Sequence, residues 1–234
     1  LLAAGYPVIV EKGVEESEWQ GWLGHYVTLV GYEEETAEFV TFDTLLGPWD
    51  SSGKPQAYDA LLEAWQQFNY TFVVLFPPDE AATVKELLGE PFGSGTRMWR
   101  QAAAKAQAET QTAPENAFAW FNLGTSLMAL GRETEDIALL NNAALAFDQA
   151  RALGLPPRML WYQYEIYEAY LASGRIEDVL LLTEATLATQ GGRSVEESYL
   201  YRGHALAAAG DLRAARAAYE RALRVNAHFV AAAN

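Results

Sequence analysis

The feature that most constrains this chain is a change of hydrophobic period at Pro77-Pro78-Asp79. Before it, apolar residues recur at every second position; after it, they recur at helical spacing to the end. A period of two puts alternate side chains on opposite faces of a strand, and a period near 3.6 gathers them on one face of a helix. "GYPVIVEKG", "HYVTLVGY", "AEFVTFDT" and "YTFVVLFPP" read as strands, with "AYDALLEAWQQF" as one short amphipathic helix among them. The prolines stop the last strand, and Asp79 suits a helix cap. The expected architecture is an α+β region with an antiparallel sheet over residues 1–78, then an all-α region over residues 79–234.

The second region reads as paired helices. "DEAATVKELLG" and "GTRMWRQAAAKAQAET" come first, separated by "EPFGSG". Then "PENAFAWFNLGTSLMALGR", "PRMLWYQYEIYEAYLASGR" and "SVEESYLYRGHALAAAGDL" are each expected to form a helix closed by a glycine, at Gly131, Gly174 and Gly210. A second amphipathic helix follows each one. Glycine supplies the left-handed backbone of a helix–helix turn, and the glycine spacings of 43 and 36 residues are close to a repeat period.

These repeats resemble tetratricopeptide repeats. Trp120, Leu123, Gly124 and Leu127, then Ala143, Phe147, Ala150 and Pro156, carry the resemblance in the first unit. Tyr199, Gly203 and Leu206, then Ala215, Tyr219 and Ala222, carry it in the last. The middle unit departs from the pattern. Tyr167 stands where a small residue is expected, and Val179, Thr183 and Thr186 replace the second-helix signature. "RETEDIALLNN" reads as an insertion of about seven residues relative to a 34-residue unit. Ala102 and Ala106, followed by Pro114, read as the second helix of an earlier unit, which makes three to four helix pairs. The resemblance implies a solenoid whose concave groove binds a protein or peptide. Asn122, Ser126, Gln163 and Tyr199 are the residues expected to line it. The alternative is that so short an array only caps the first region.

Composition narrows the functional classes. The net charge is −15, of which residues 1–90 carry −13 and residues 91–234 carry −2. So negative a field repels phosphate backbones and argues against nucleic-acid binding. It suits a well-solvated domain or one that attracts basic peptides. There are no cysteines, so disulfides and thiolate metal sites within the chain are excluded. No apolar run reaches the roughly 20 residues of a membrane span. His204 and His228 lack histidine or acidic partners at metal-ligand spacing, and no cofactor or metal is expected. "GEPFGSG" lacks the Lys-Ser/Thr of a phosphate loop and reads as a linker. The aromatic series Trp161, Tyr162, Tyr164, Tyr167 and Tyr170 reads as groove packing. Leu1 falls in mid-pattern, at what reads as the end of a helix, so sequence upstream of it is expected.

"GHYVTLVGYEEETAEFVTFDT", Gly24 to Thr44, is a hairpin that starts on a histidine and ends on an aspartate. If its strands pair about Glu34, His25 lies opposite Asp43, Val27 opposite Thr41 and Leu29 opposite Phe39. Opposed side chains share a face. A carboxylate beside an imidazole fixes its tautomer, which is the orienting half of a nucleophile–base–acid triad. The plainer reading keeps His25 as a strand-end histidine and Asp43 as a turn residue before "TLLGP".

"PVIV…GHYVTLVGY…FVTFDTLLG" resembles the C-terminal sheet half of papain-like cysteine peptidases, in particular the bacterial group that cleaves double-glycine bacteriocin leaders. The resemblance implies His25 as general base and Asp43 as its orienter, with the nucleophilic Cys and an oxyanion-hole Gln on an upstream helical half. This chain departs from the pattern in having no Cys. Two functions stay open: a cysteine peptidase completed by an upstream thiol, inactive as this chain alone, or a non-catalytic scaffold binding partners through its repeats. The resemblance favours an extracellular or cell-envelope setting. Val27, Leu29 and Phe39 share the His25 face, so that face is expected to be covered by an upstream segment or a neighbouring subunit.

Overall fold

The computed structural model describes residues 1–15 and 21–232. The chain divides into two compact units, Leu1–Asn122 and Leu123–Asn234.

The first unit is built on a five-stranded antiparallel sheet: β1 (Val8–Glu15), β2 (Trp22–Glu33), β3 (Glu38–Asp43), β4 (Lys54–Ala57) and β5 (Phe72–Val74), in the order β4-β3-β2-β1-β5. Strand β4, "KPQA", was not anticipated from the sequence. It is short and polar and contains Pro55, which an edge position tolerates because half of an edge strand's backbone needs no partner. Helix α1 (Tyr58–Gln66) follows it directly.

One face of the sheet is the core. Val8 and Val10 of β1, Val27 and Leu29 of β2 and Leu61 of α1 are buried together, with Leu1, Leu2, Phe39, Trp65 and Phe72 packed around them. Phe39 lies against Tyr58, ring centroids 4.4 Å apart, and Trp65 meets Phe72 edge-on. This corrects the expectation of an apolar face awaiting cover from elsewhere. Helix α1 and the 3-10 turn Leu2–Ala4 close it within the unit, because only five side chains need complete burial and one nine-residue helix spans them. The exposed apolar side chains are on the other face, at Tyr26, Phe42 and Val73.

Helices α2 (Ala81–Leu88) and α3 (Gly95–Thr112) follow. The change of period falls after Pro78, yet α3 and the first residues of α4 (Ala117–Thr134) group with the sheet. The ties are polar. Glu109 accepts from Tyr70 Oη at 2.6 Å and from Gln66 Nε2 at 2.9 Å. Asn116 donates to Gln66 Oε1 at 2.9 Å, and Asn122 Nδ2 to the Gln66 carbonyl at 2.6 Å.

The second unit is helical: the rest of α4, then α5 (Ile137–Leu153), α6 (Glu165–Ala172), α7 (Ile176–Ala188), α8 (Glu196–Ala208) and α9 (Leu212–Val225). Gly174 and Gly210 adopt φ of 68° and 85° just beyond α6 and α8, as the pattern requires. Gly131 does not end its helix. It lies inside α4, where a Cβ would sit 2.8 Å from Leu140 Cδ2, so its smallness lets α5 approach. The turn is made by Glu135, at φ 55°, and Asp136 caps α5 by accepting from the amides of Ala138 and Leu139. The helix expected from Pro157 is shorter than predicted: a 3-10 turn, Met159–Trp161, precedes α6.

Size complementarity explains the pairing of helices. A Cβ on Gly124 would meet Phe147 Cε1 at 2.7 Å, and one on Gly203 would overlap the Tyr219 ring. In the middle pair the sizes are exchanged. Tyr167 is fully buried on α6 and bonds Thr186 Oγ1 of α7 at 2.9 Å, while Thr183 takes the aromatic's place.

Candidate active site

His25 and Asp43 meet, though not in the expected register. The hairpin turn is Glu34–Ala37, and β2 pairs with β3 as Val27↔Asp43, Thr28↔Phe42 and Leu29↔Thr41. A bulge between Leu29 and Gly31 absorbs one residue. Asp43 is therefore the diagonal neighbour of His25 and not its direct opposite. A slip of two residues keeps every side chain on its face, so the pair survives an error that a slip of one would have destroyed. His25 Nε2 is 2.8 Å from Asp43 Oδ1, and the two side chains are 11% and 2% exposed.

Asp43 is also the turn residue of the plainer reading. Its Oδ1 accepts from the amides of Leu45 at 2.9 Å and Leu46 at 2.8 Å, which fastens the chain as it leaves β3. One carboxylate thus sets the turn and holds the imidazole. Burial pushes its carboxyl up. The Leu46 amide, the His25 ring and the Leu45 amide outweigh that and hold it below the usual aspartate range.

Lys12, which the sequence reading did not single out, completes the cluster. It pairs directly with His25 across β1 and β2. Its side chain is only 7% exposed, with Nζ 4.0 Å from Asp43 Oδ2 and 3.2 Å from Gln56 Oε1. Burial pushes the ammonium down, the Asp43 carboxylate works against this, and Lys54 adds to the depression. Its signal was legible: Lys12 has the parity of Val8 and Val10, so "VIVEK" already aimed it at the core.

The imidazole is oriented from one side only. Among the described residues, Nδ1 has no hydrogen-bond partner. With the Nε2 proton given to Asp43, Nδ1 offers a lone pair to a proton donor.

The residues expected to line a groove are placed otherwise. Asn122 and Ser126 are fully buried and Gln163 nearly so. Asn122 and Ser126 sit on the packed side of α4, Gln163 lies just before α6, and all three present little surface to a partner. Asn122 Nδ2 donates to the Gln66 carbonyl, and among the described residues its buried Oδ1 has no partner. Tyr199 is half-buried, with the Arg221 guanidinium over its ring. In the aromatic series Tyr167 and Tyr170 are core residues, and Tyr170 Oη donates to Asp148 Oδ1 at 2.7 Å. His204 packs edge-on against Tyr201 and Tyr219. Among the described residues no group of histidines and carboxylates has the makings of a metal site, and no helix is long and apolar enough to cross a membrane.

Comparison of the chain with protein-family models and with curated proteins found no match.

Proposed function

We propose that the first unit carries the base and orienter of a papain-like cysteine peptidase centre, His25 and Asp43, and that a polypeptide segment outside this chain supplies the thiol. The single observation that carries the reading is the His25 Nε2···Asp43 Oδ1 contact of 2.8 Å beside an Nδ1 with no partner among the described residues. In this assignment Nδ1 takes the proton from the incoming thiol, and the resulting imidazolium stays bound to Asp43. The paired helices, read as tetratricopeptide-like, hold a protein or peptide substrate or the assembly itself. The test is turnover by the assembled enzyme with its thiol-bearing segment. His25→Ala should lower kcat by about 10²–10⁴-fold, the usual worth of a general base. Full activity in that variant removes His25 from the mechanism.

A second reading, a non-catalytic scaffold, is favoured by the absence of any cysteine and by the small exposure of His25. There the pair serves only to fasten β2 to the turn after β3. Under it, His25→Ala changes stability while partner binding through the helices is retained, and no segment restores thiol-dependent turnover. On either reading the chain alone, having no thiol, hydrolyses nothing by a cysteine mechanism. Peptide hydrolysis by the purified chain that iodoacetamide abolishes would contradict both.

A further inference from the structure

The Lys12 ammonium lies under the sheet with one full hydrogen bond, to Gln56, and one carboxylate at 4.0 Å. A buried cation is costly, and an opposite charge within reach is what keeps it ionised. The two oxygens of Asp43 are divided. Oδ1 takes His25 and two backbone amides, while Oδ2 faces Lys12. We infer that Lys12 is a positioning residue for the His25–Asp43 pair: its ammonium occupies the Oδ2 side of the carboxylate, keeps Asp43 ionised and stops it rotating, so that Oδ1 alone holds the Nε2 proton and Nδ1 stays free. The inference rests on the proposed role of His25 as base, but the charge coupling itself does not require it.

The ionisable groups around this cluster are few. β1 supplies Lys12, β2 His25, β3 Asp43 and β4 Lys54. Helix α1 carries Asp59 and Glu63, both turned to solvent, and Tyr58, which packs on Phe39. The turn Leu2–Ala4 and strand β5 carry none. Asp43 is thus the anion that faces Lys12 among the described residues, and the interaction acts equally on both partners.

Nuclear magnetic resonance of the whole chain tests this in two variants with separate readouts. In Lys12→Met the titration midpoint of the Asp43 carboxyl carbon should rise by about one pH unit, the size expected for losing an opposite charge at this range. In the same variant at neutral pH, the His25 ring nitrogens should change from one tautomer, protonated at Nε2, to a mixture. In Asp43→Asn the Lys12 Cε midpoint should fall by about one unit or more. A packing role for Lys12 moves none of these. A folded Lys12→Met chain with an unshifted Asp43 midpoint and an unchanged His25 tautomer overturns the inference. If that variant does not fold, a Lys12 midpoint unmoved by Asp43→Asn overturns it equally. Coupling found in an assembly that shows no peptidase activity sinks the peptidase reading and leaves the Lys12–Asp43 interaction standing. An active assembly without the coupling sinks Lys12 alone.

Discussion

Asp43 shows how much one side chain decides. It ends β3, caps the following turn through Leu45 and Leu46, and binds His25. Asp43→Ala should cost about 1–3 kcal/mol, because two turn amides and a buried imidazole lose their acceptor. Asp43→Asn keeps one oxygen for the turn and should cost less. Urea unfolding at pH 7 measures both. The pH dependence has a defined sign. The folded Asp43 carboxyl lies below its unfolded value, so its contribution is complete above pH ~4 and is lost as pH falls through the lower folded value. In Asp43→Asn that part of the acid dependence should vanish. Leu61 is the corresponding apolar residue: fully buried on α1, it closes the sheet core, and Leu61→Ala should cost about 2–5 kcal/mol in the same assay.

At the scale of elements, helix pairs depend on which member is small. Gly203→Ala would drive a methyl into the Tyr219 ring and should destabilise by about 1–3 kcal/mol. Gly203→Ala combined with Tyr219→Leu should recover part of that loss, since the ring is the obstacle. The middle pair, with Tyr167 on the first helix, has no such constraint, and Tyr167→Phe should lose only the Thr186 bond, about 1 kcal/mol. Here α5 and α7 are joined by charge. Arg175 spans both oxygens of Asp148, at 2.6 and 2.9 Å, and reaches Asp178 Oδ2 at 2.9 Å. Arg175→Lys keeps the charge but not the fork, so it should be measurably less stable than wild type. A melting temperature equal to wild type would show that geometry adds nothing there.

The whole molecule is set against acid. Asp43, Glu109, Asp148 and Asp178 are all held below their usual range. For the first three, burial opposes the shift and hydrogen-bonded partners overcome it; for Asp178 the Arg175 guanidinium leads. Each contributes stability above pH ~4 and loses it below. Glu11, Glu165 and Glu197 are raised by burial and act the other way, favouring the folded chain at low pH. The balance tips because protonating 31 acidic groups leaves 16 lysines and arginines and 3 histidines to repel one another. The urea midpoint should therefore fall steeply between pH 5 and pH 3. A midpoint that rose on acidification would mean that the three half-buried glutamates dominate.

Much of this was legible in the residues. The period of two marked β1, β2, β3 and β5, and parity put His25, Val27 and Leu29 on one face of β2, with Asp43 joining them for any register that differs by an even number of residues. The glycines at 174 and 210 marked turns because left-handed backbone is costly for any other residue. Strand β4 was hidden, since Lys54-Pro55-Gln56-Ala57 has no periodic signal and is held in place by β3. The bulge at Val30 and the two-residue shift it accompanies were hidden too, because a slip by two leaves the hydrophobic pattern unchanged. Asn122, Ser126 and Gln163 read as groove residues from their place in the stacked helix pairs, and only packing turned them inward, where Asn122 Nδ2 reaches the Gln66 carbonyl. Backbone period alone fixes which side chains of one strand share a face. The tertiary structure decided which face is covered: α1 folds over the His25 side because Leu61 and Trp65 lie within reach of Val10 and Val27, and no local pattern in either element states that distance.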